Sequence, residues 1–327
     1  MIDFVAFGIV IDDIVLPDGS TYEAILGGGG PQTAWGMAAA LGSGLRVGLS
    51  ACVGADFDPA WLEPLRKAQV NLEGVRQVWQ ATPRAWQRMA ADGGRTHVWR
   101  HPPQGRGDLP AVYREARALH WGLHPENPDL TVAQDLALQD KWLSLETFKP
   151  PDEALSLAAL SELVTSCRIF SPNWREAVSI AGTENYAQLL ERFRVAGCHI
   201  LALRRGELGA DVWDLRLGGG VRVPAVPTTV VDAVGAGNAF CGALLARLVT
   251  GIGSEDEDAD LTTLYAMDTL QYGGTGLSAA ACHAVAAASY MVEQFGIPAA
   301  LPKREDYQRR LSYALSRAEA LNLETPP

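Results

Sequence analysis

Two glycine-rich turns, far apart in the chain, each run straight into a stretch with almost no polar face. The later one lies in Val231-Asp232-Ala233-Val234-Gly235-Ala236-Gly237-Asn238-Ala239-Phe240 and continues through Cys241-Gly242-Ala243-Leu244-Leu245-Ala246. The earlier one is Leu26-Gly27-Gly28-Gly29-Gly30-Pro31-Gln32-Thr33-Ala34, continuing from Trp35 to Gly42. A helix that is apolar all round has to be buried, so each run reads as a core helix opened by a backbone-exposing turn. Free N–H groups and the positive end of the dipole at such a start favour an anion. A single turn of this kind is also what a tight strand-to-helix connection needs. Two of them, each followed at once by a core helix, favour a ligand cradle.

Residue types at the turns sharpen the chemistry. Asn238 falls in the first turn of its helix, beside the expected anion. In phosphoryl transfer that place suits a base that takes the proton of the attacking hydroxyl, and an amide cannot take one. Gln32 and Thr33 occupy the first turn of the other helix, where an amide and a hydroxyl can reach a polar ligand.

Elsewhere, short apolar runs alternate with helical patterns. This predicts an α/β fold, a mostly parallel sheet with helices on both faces. Strands are expected over Phe4–Ile11, Arg46–Val53, Ala118–Leu123, Arg168–Ser171 and His199–Arg204. The alternation of 85–90 and 96–100 around Asp92-Gly93-Gly94 predicts a β-hairpin. Trp86 and Trp99 on it read as packing residues between hairpin and body. His120 and His124, four apart at a strand end, do not converge as they would on a helix and make a poor metal site. The acidic run Ser254–Asp260 reads as a solvated loop.

A net charge of −11 without a basic cluster makes nucleic acid and anionic membranes poor partners. The five cysteines (52, 167, 198, 241 and 282) form no Cys-x-x-Cys pair and read as reduced core residues. The N-terminus lacks the basic region of a signal peptide, and the apolar stretch near 277–292 is too rich in small residues for a membrane span. A cytoplasmic protein is expected.

In order along the chain, these features resemble the PfkB, or ribokinase-like, family of sugar and nucleoside kinases. Gly8 with Asp13 five residues on is similar to the family's substrate-binding start. Gly27, Gly28 and Gly30 match its Gly-Gly-x-Gly, with Gln32 where Asn is usual. Val53-Gly54-Ala55-Asp56, Leu62, Leu65 and the run Val70–Val75 resemble a further segment. Asn173-Trp174-Arg175-Glu176 matches Asn-x-x-Glu, and Arg205-Gly206-Glu207-Leu208-Gly209 matches the nucleotide-side turn. Asp232 to Asn238 matches the cradle, with Ala233 for Thr and Asn238 for the final Asp.

The resemblance implies one domain over residues 1–327, three-layered, with a small β-lid from segments near 12–26 and 82–101 that excludes water from the transfer. It leaves room for a homodimer through the lid. It implies ATP and Mg2+ as cofactors and a sugar or sugar-like alcohol as substrate. Asp13, Gln32 and the glycines 27, 28 and 30 would bind that substrate. ATP would lie near Arg205, Gly206, Gly209, Asp232 and His283, with magnesium held through Asn173 and Glu176 by way of water. Gly235, Ala236 and Gly237 would donate to the transferring phosphoryl group, and Asn238 would orient the hydroxyl. The retained cradle favours a kinase; Asn238, Ala233 and Gln32 favour a ligand sensor or protein partner on a kinase scaffold. A Rossmann dehydrogenase is disfavoured, since no Gly-x-Gly-x-x-Gly follows the first strand.

Overall fold

The computed structural model describes residues 1–90, 95–105, 109–251 and 276–324. The first predicted strand is divided. β1 (Phe4–Phe7) ends at Gly8, whose positive φ of 89° turns the chain out of the body, and β2 (Val10–Val15) belongs to a different sheet. A positive φ is open to glycine at no steric cost. One apolar run thus serves two sheets.

The larger sheet comprises ten strands. Its parallel part runs β5 (Val75–Trp79), β4 (Val47–Gly54), β1, β8 (Ala118–Leu123), β9 (Trp142–Thr147), β10 (Ile169–Phe170) and β11 (Ile200–Arg204). An antiparallel extension follows: β12 (Ala210–Asp214), β13 (Gly219–Val223) and β14 (Glu319–Asn322). Side chains alternate across a strand, so Phe4 and Ala6 enter one core while Val5 and Phe7 enter the other. The first core takes α1 (Gly29–Leu41), α2 (Glu63–Lys67), α7 (Ala236–Gly251), α8 (Leu277–Met291) and α9 (Arg304–Leu315). The second takes α3 (Thr131–Leu138), α4 (Leu157–Thr165), α5 (Trp174–Ala181) and α6 (Tyr186–Val195). A sheet covered on both faces needs the near-continuous apolar strands seen here.

The smaller sheet has the order β3 (Thr21–Gly27), β2, β6 (Arg84–Met89), β7 (Arg95–His101). The predicted hairpin is β6–β7, paired from Arg84 with His101 to Met89 with Arg95; its Asp-Gly-Gly turn lies outside the described residues, as does the acidic run 254–260. Trp99 is 42% exposed and Trp86 lies under the Arg100 guanidinium, 5.3 Å from it. They do not form one packing surface against the body as expected, because Trp86 pairs with Val98 and Trp99 with Ala85, which places them on opposite faces of the sheet. No described helix is long and apolar enough to cross a membrane.

The two glycine-led helices cross each other closely. A Cβ on Gly36 would overlap the backbone of Ala239, and one on Gly242 the backbone of Thr33. Absence of side chains at these two points brings the start of α1 next to the start of α7.

Candidate active site

Both helix starts open at the carboxyl ends of the parallel strands, the edge where open α/β sheets bind ligands. At the first, Gly30 N–H donates to the carbonyl of Gly8. At the second, Asp232 Oδ1 accepts from Val234 N at 3.0 Å and shapes the turn. Gly235 (φ 86°) lies flat against the Gln32 amide, where a Cβ would collide. Asn238 Nδ2 donates to Gln32 Oε1 at 2.6 Å, joining residues 206 positions apart. Asn238 Oδ1 faces Gly29, 3.7 Å from where a Cβ would sit on that residue, and Glu146 Oε1 is 3.9 Å from the same point. The two glycine turns, Gln32 and Asn238 therefore surround one space.

Glu146, at the end of β9, is the acid that the sequence did not single out. It is 4% exposed. His120 Nε2 stands 3.5 Å from its Oε1, and Cys241 Sγ donates to Oε2 at 3.8 Å. His120 is held from its other side by Ser144 Oγ, 2.9 Å from Nδ1. His120, Glu146 and Cys241 form the described group whose ligand atoms lie close enough to share an ion, yet Arg204 Nη2 is already 2.9 Å from Glu146 Oε2. Burial pushes the Glu146 carboxyl up, and the Arg204 charge with the His120 imidazole more than offsets this, leaving it below the usual range. His124 lies beyond the strand against Phe148 and does not join His120.

Arg204, at the end of β11, links this acid to the Asn-x-x-Glu helix. Its Nη2 donates to the Ser171 carbonyl at 2.7 Å and lies 3.6 Å from Glu176 Oε2. Asn173 and Glu176 form a capping box for α5: Asn173 Oδ1 accepts from Glu176 N at 2.9 Å, and Glu176 Oε2 accepts from Asn173 N at 2.8 Å. Burial raises the Glu176 carboxyl, and Arg204 offsets only part of that. A divalent cation on Glu176 would stand beside a guanidinium. The donor set does not fit magnesium held there directly; in this structure both side chains cap a helix and seat an arginine.

Other predicted residues are placed elsewhere. Asp13 is fully buried, and its carboxylate takes Arg84 Nε (2.7 Å) and Nη2 (2.6 Å), Arg100 Nη1 (2.9 Å) and Ala24 N (3.0 Å). Four donors fill the roughly four lone-pair directions of a carboxylate, so none is left for a substrate hydroxyl. Asp12, on the opposite face of β2, is the acid against Gly27, and it accepts from Gln87 Nε2 at 2.9 Å. Adjacent residues of β2 point to opposite faces, with unbroken register against β6, and sequence spacing cannot show which face of the small sheet looks into the site.

His283 is 3% exposed, with Nε2 3.0 Å from Arg247 Nη2 and Nδ1 3.0 Å from the Tyr307 hydroxyl. Both ring nitrogens are engaged, and none remains for an adenine. Burial, then the Arg247 charge, holds the imidazole well below its usual range. Arg205 turns away to Asp211 Oδ2 (3.0 Å), across the rings of Trp174 and Tyr186. Gly206 and Gly209 form the turn between β11 and β12.

The pfkB family carbohydrate kinase model matches residues 1–304, and the chain belongs to that family. A cytidine kinase of Thermococcus kodakarensis is 27% identical over 255 residues, covering 77% of this chain and 90% of its own. Ribokinase of Giardia lamblia shares the fold, with a TM-score of 0.72 at 20% identity over 94% of this chain and 99% of its own. Fructokinase of Xylella fastidiosa, solved with bound ATP, superposes with a TM-score of 0.70 at 17% identity over 95% and 98%.

Proposed function

We propose that this chain is an ATP-dependent phosphotransferase acting on a hydroxyl of a sugar or sugar-bearing small molecule. The observation that carries this reading is the meeting of the two glycine-led helix starts around one space, bridged by Gln32 and Asn238. Aligned helix starts stabilise transferring phosphate. The T. kodakarensis cytidine kinase and the fructokinase solved with ATP support the substrate class and the nucleotide.

In this reading, the Gly235, Ala236 and Gly237 amides face the transferring group. Asp12, Gln87 and the backbone of Gly27 and Gly28 orient the acceptor, while Asn238 Oδ1 receives its hydroxyl. Magnesium arrives on the nucleotide. The small sheet serves as a lid. Its open face, where Val15, Trp86, Arg88 and Val98 line a groove of about 370 Å³, is covered by a second copy in a homodimer.

The bond between Asn238 and Gln32 also favours a second reading: an amide pair in place of a carboxylate suits a ligand sensor or protein partner. A panel of sugars and nucleosides assayed with wild type and Asn238→Asp separates the two. The kinase reading expects the variant to gain roughly ten-fold or more in rate, toward the 10²–10⁴-fold that a general base supplies. Nucleotide binding without turnover of any acceptor by either form would put the sensor reading first.

A further inference from the structure

Arg204 is an unusual occupant for the end of a buried strand. One edge of its guanidinium is fixed: Nη2 meets the Ser171 carbonyl, Glu146 and Glu176. On the other side, next to Cδ, Nη1 has donors to spare: among the described residues no acceptor bonds it. That Nη1 lies directly against Gly237, so closely that a Cβ there would overlap it. The side chain is 15% exposed, and its surroundings raise its pKa above the ordinary arginine value, so it stays charged. A charged Nη1 without an acceptor has a hydrogen bond left to make, and a bound anion at the Gly237 turn would make it.

We propose that Arg204 is the built-in cation of the phosphate cradle, binding the terminal phosphate of a nucleotide through Nη1 at the Gly235–Gly237 turn. It takes the position of countercharge that a metal on Asn173 and Glu176 would otherwise hold. This inference rests on the nucleotide-binding reading above. The two carboxylates hold the guanidinium through Nη2 and leave Nη1 to the ligand. A planar fork of donors suits phosphate, and the start of α7 adds its own partial positive charge. Without Arg204, Glu146 and Glu176 would face the phosphates uncompensated, and only an added divalent cation could screen them.

The test is calorimetric titration of full-length protein with ADP and with a non-hydrolysable ATP analogue, in EDTA and in magnesium. Wild type is expected to bind in EDTA within about three-fold of its affinity in magnesium, a gap of under 1 kcal/mol. Arg204→Gln is expected to lose roughly thirty-fold or more in EDTA, the scale for removing one partner of a buried charge pair, and to recover when magnesium is added. Arg204→Lys, which keeps the charge, should retain metal-free binding better than Arg204→Gln. The wild-type arm needs no variant to fold. Wild-type binding that depends on magnesium, or Arg204→Gln binding like wild type in EDTA, would overturn the inference and leave the kinase reading standing. Absence of nucleotide binding by wild type in both buffers would overturn the two together.

Discussion

The small sheet and the body each bury a cluster of arginine and carboxylate, built to opposite proportions. In the small sheet one carboxylate, Asp13, meets two guanidiniums and a backbone amide, and every lone pair is used. In the body one guanidinium, Arg204, meets two carboxylates along a single edge and keeps donors in hand. The first cluster is closed and acts as a fastener between β2, β6 and β7. The second is open, and its spare Nη1 lies against a glycine turn. Charged residues in a family site can thus mark structure or ligand, and the count of unused donors and acceptors tells them apart.

The contrast can be broken at the open cluster first. Gly237→Ala places a Cβ on Arg204 Nη1 and should lower phosphoryl transfer by roughly 10²-fold, the scale for losing one stabilising donor, with little change in melting temperature. A variant of normal activity would show that the turn and the guanidinium do not act on the same group.

The closed cluster should respond in the other currency. Asp13→Asn leaves two guanidiniums short of a partner and should cost about 2 kcal/mol of unfolding free energy. That is below the 3–5 kcal/mol for a fully buried pair, because Arg84 and Arg100 are 27% and 40% exposed. Nucleotide affinity, read by titration, should hardly move. Burial raises the Asp13 carboxyl, but hydrogen bonds from Arg84, Ala24 and Arg100 bring it below the usual aspartate range. Its share of stability is therefore present above about pH 4 and is lost as pH falls below that. An Asp13→Asn protein as stable as wild type, or one that loses nucleotide, would erase the distinction between the clusters.

The smallest effect belongs to His283, closed like Asp13 but neutral. Its pKa is depressed in the fold, so its contribution is present above the unfolded value of about 6.5 and declines as pH drops below it. Denaturant titrations at pH 7.5 and 5.5 should differ by about 1 kcal/mol more in wild type than in His283→Gln. Equal pH dependence would remove His283 as a buried neutral group.

Much of this was legible because glycine and apolar periodicity report on backbone and burial. The two cradles, the parallel core and the β6–β7 hairpin follow from such signals. The division of the first strand at Gly8 was not legible, since the apolar pattern runs through it unbroken. Neither was the choice between Asp12 and Asp13, which turns on which face of the small sheet looks into the site. Arg204 reads in sequence as the solvated end of a strand, and Glu146 as one acid among many; only the parallel arrangement of β9, β10 and β11 puts them against Glu176. His283 was placed beside the nucleotide only by the family resemblance. Its partners, Arg247 and Tyr307, lie on other elements that spacing cannot connect to it.

The close crossing of α1 and α7 has a consequence for the birth of the protein. Gly36 and Ala239 touch although most of the chain separates them, and contacts of long sequence separation form late because the intervening loop must close first. A ribosome that has released the first five parallel strands has produced half a cradle with no partner. The space between Gln32 and Asn238 comes into being only once residues 236–251 emerge. A nucleotide that binds there acts on finished molecules alone, and it can stabilise the completed fold without rescuing any shorter intermediate.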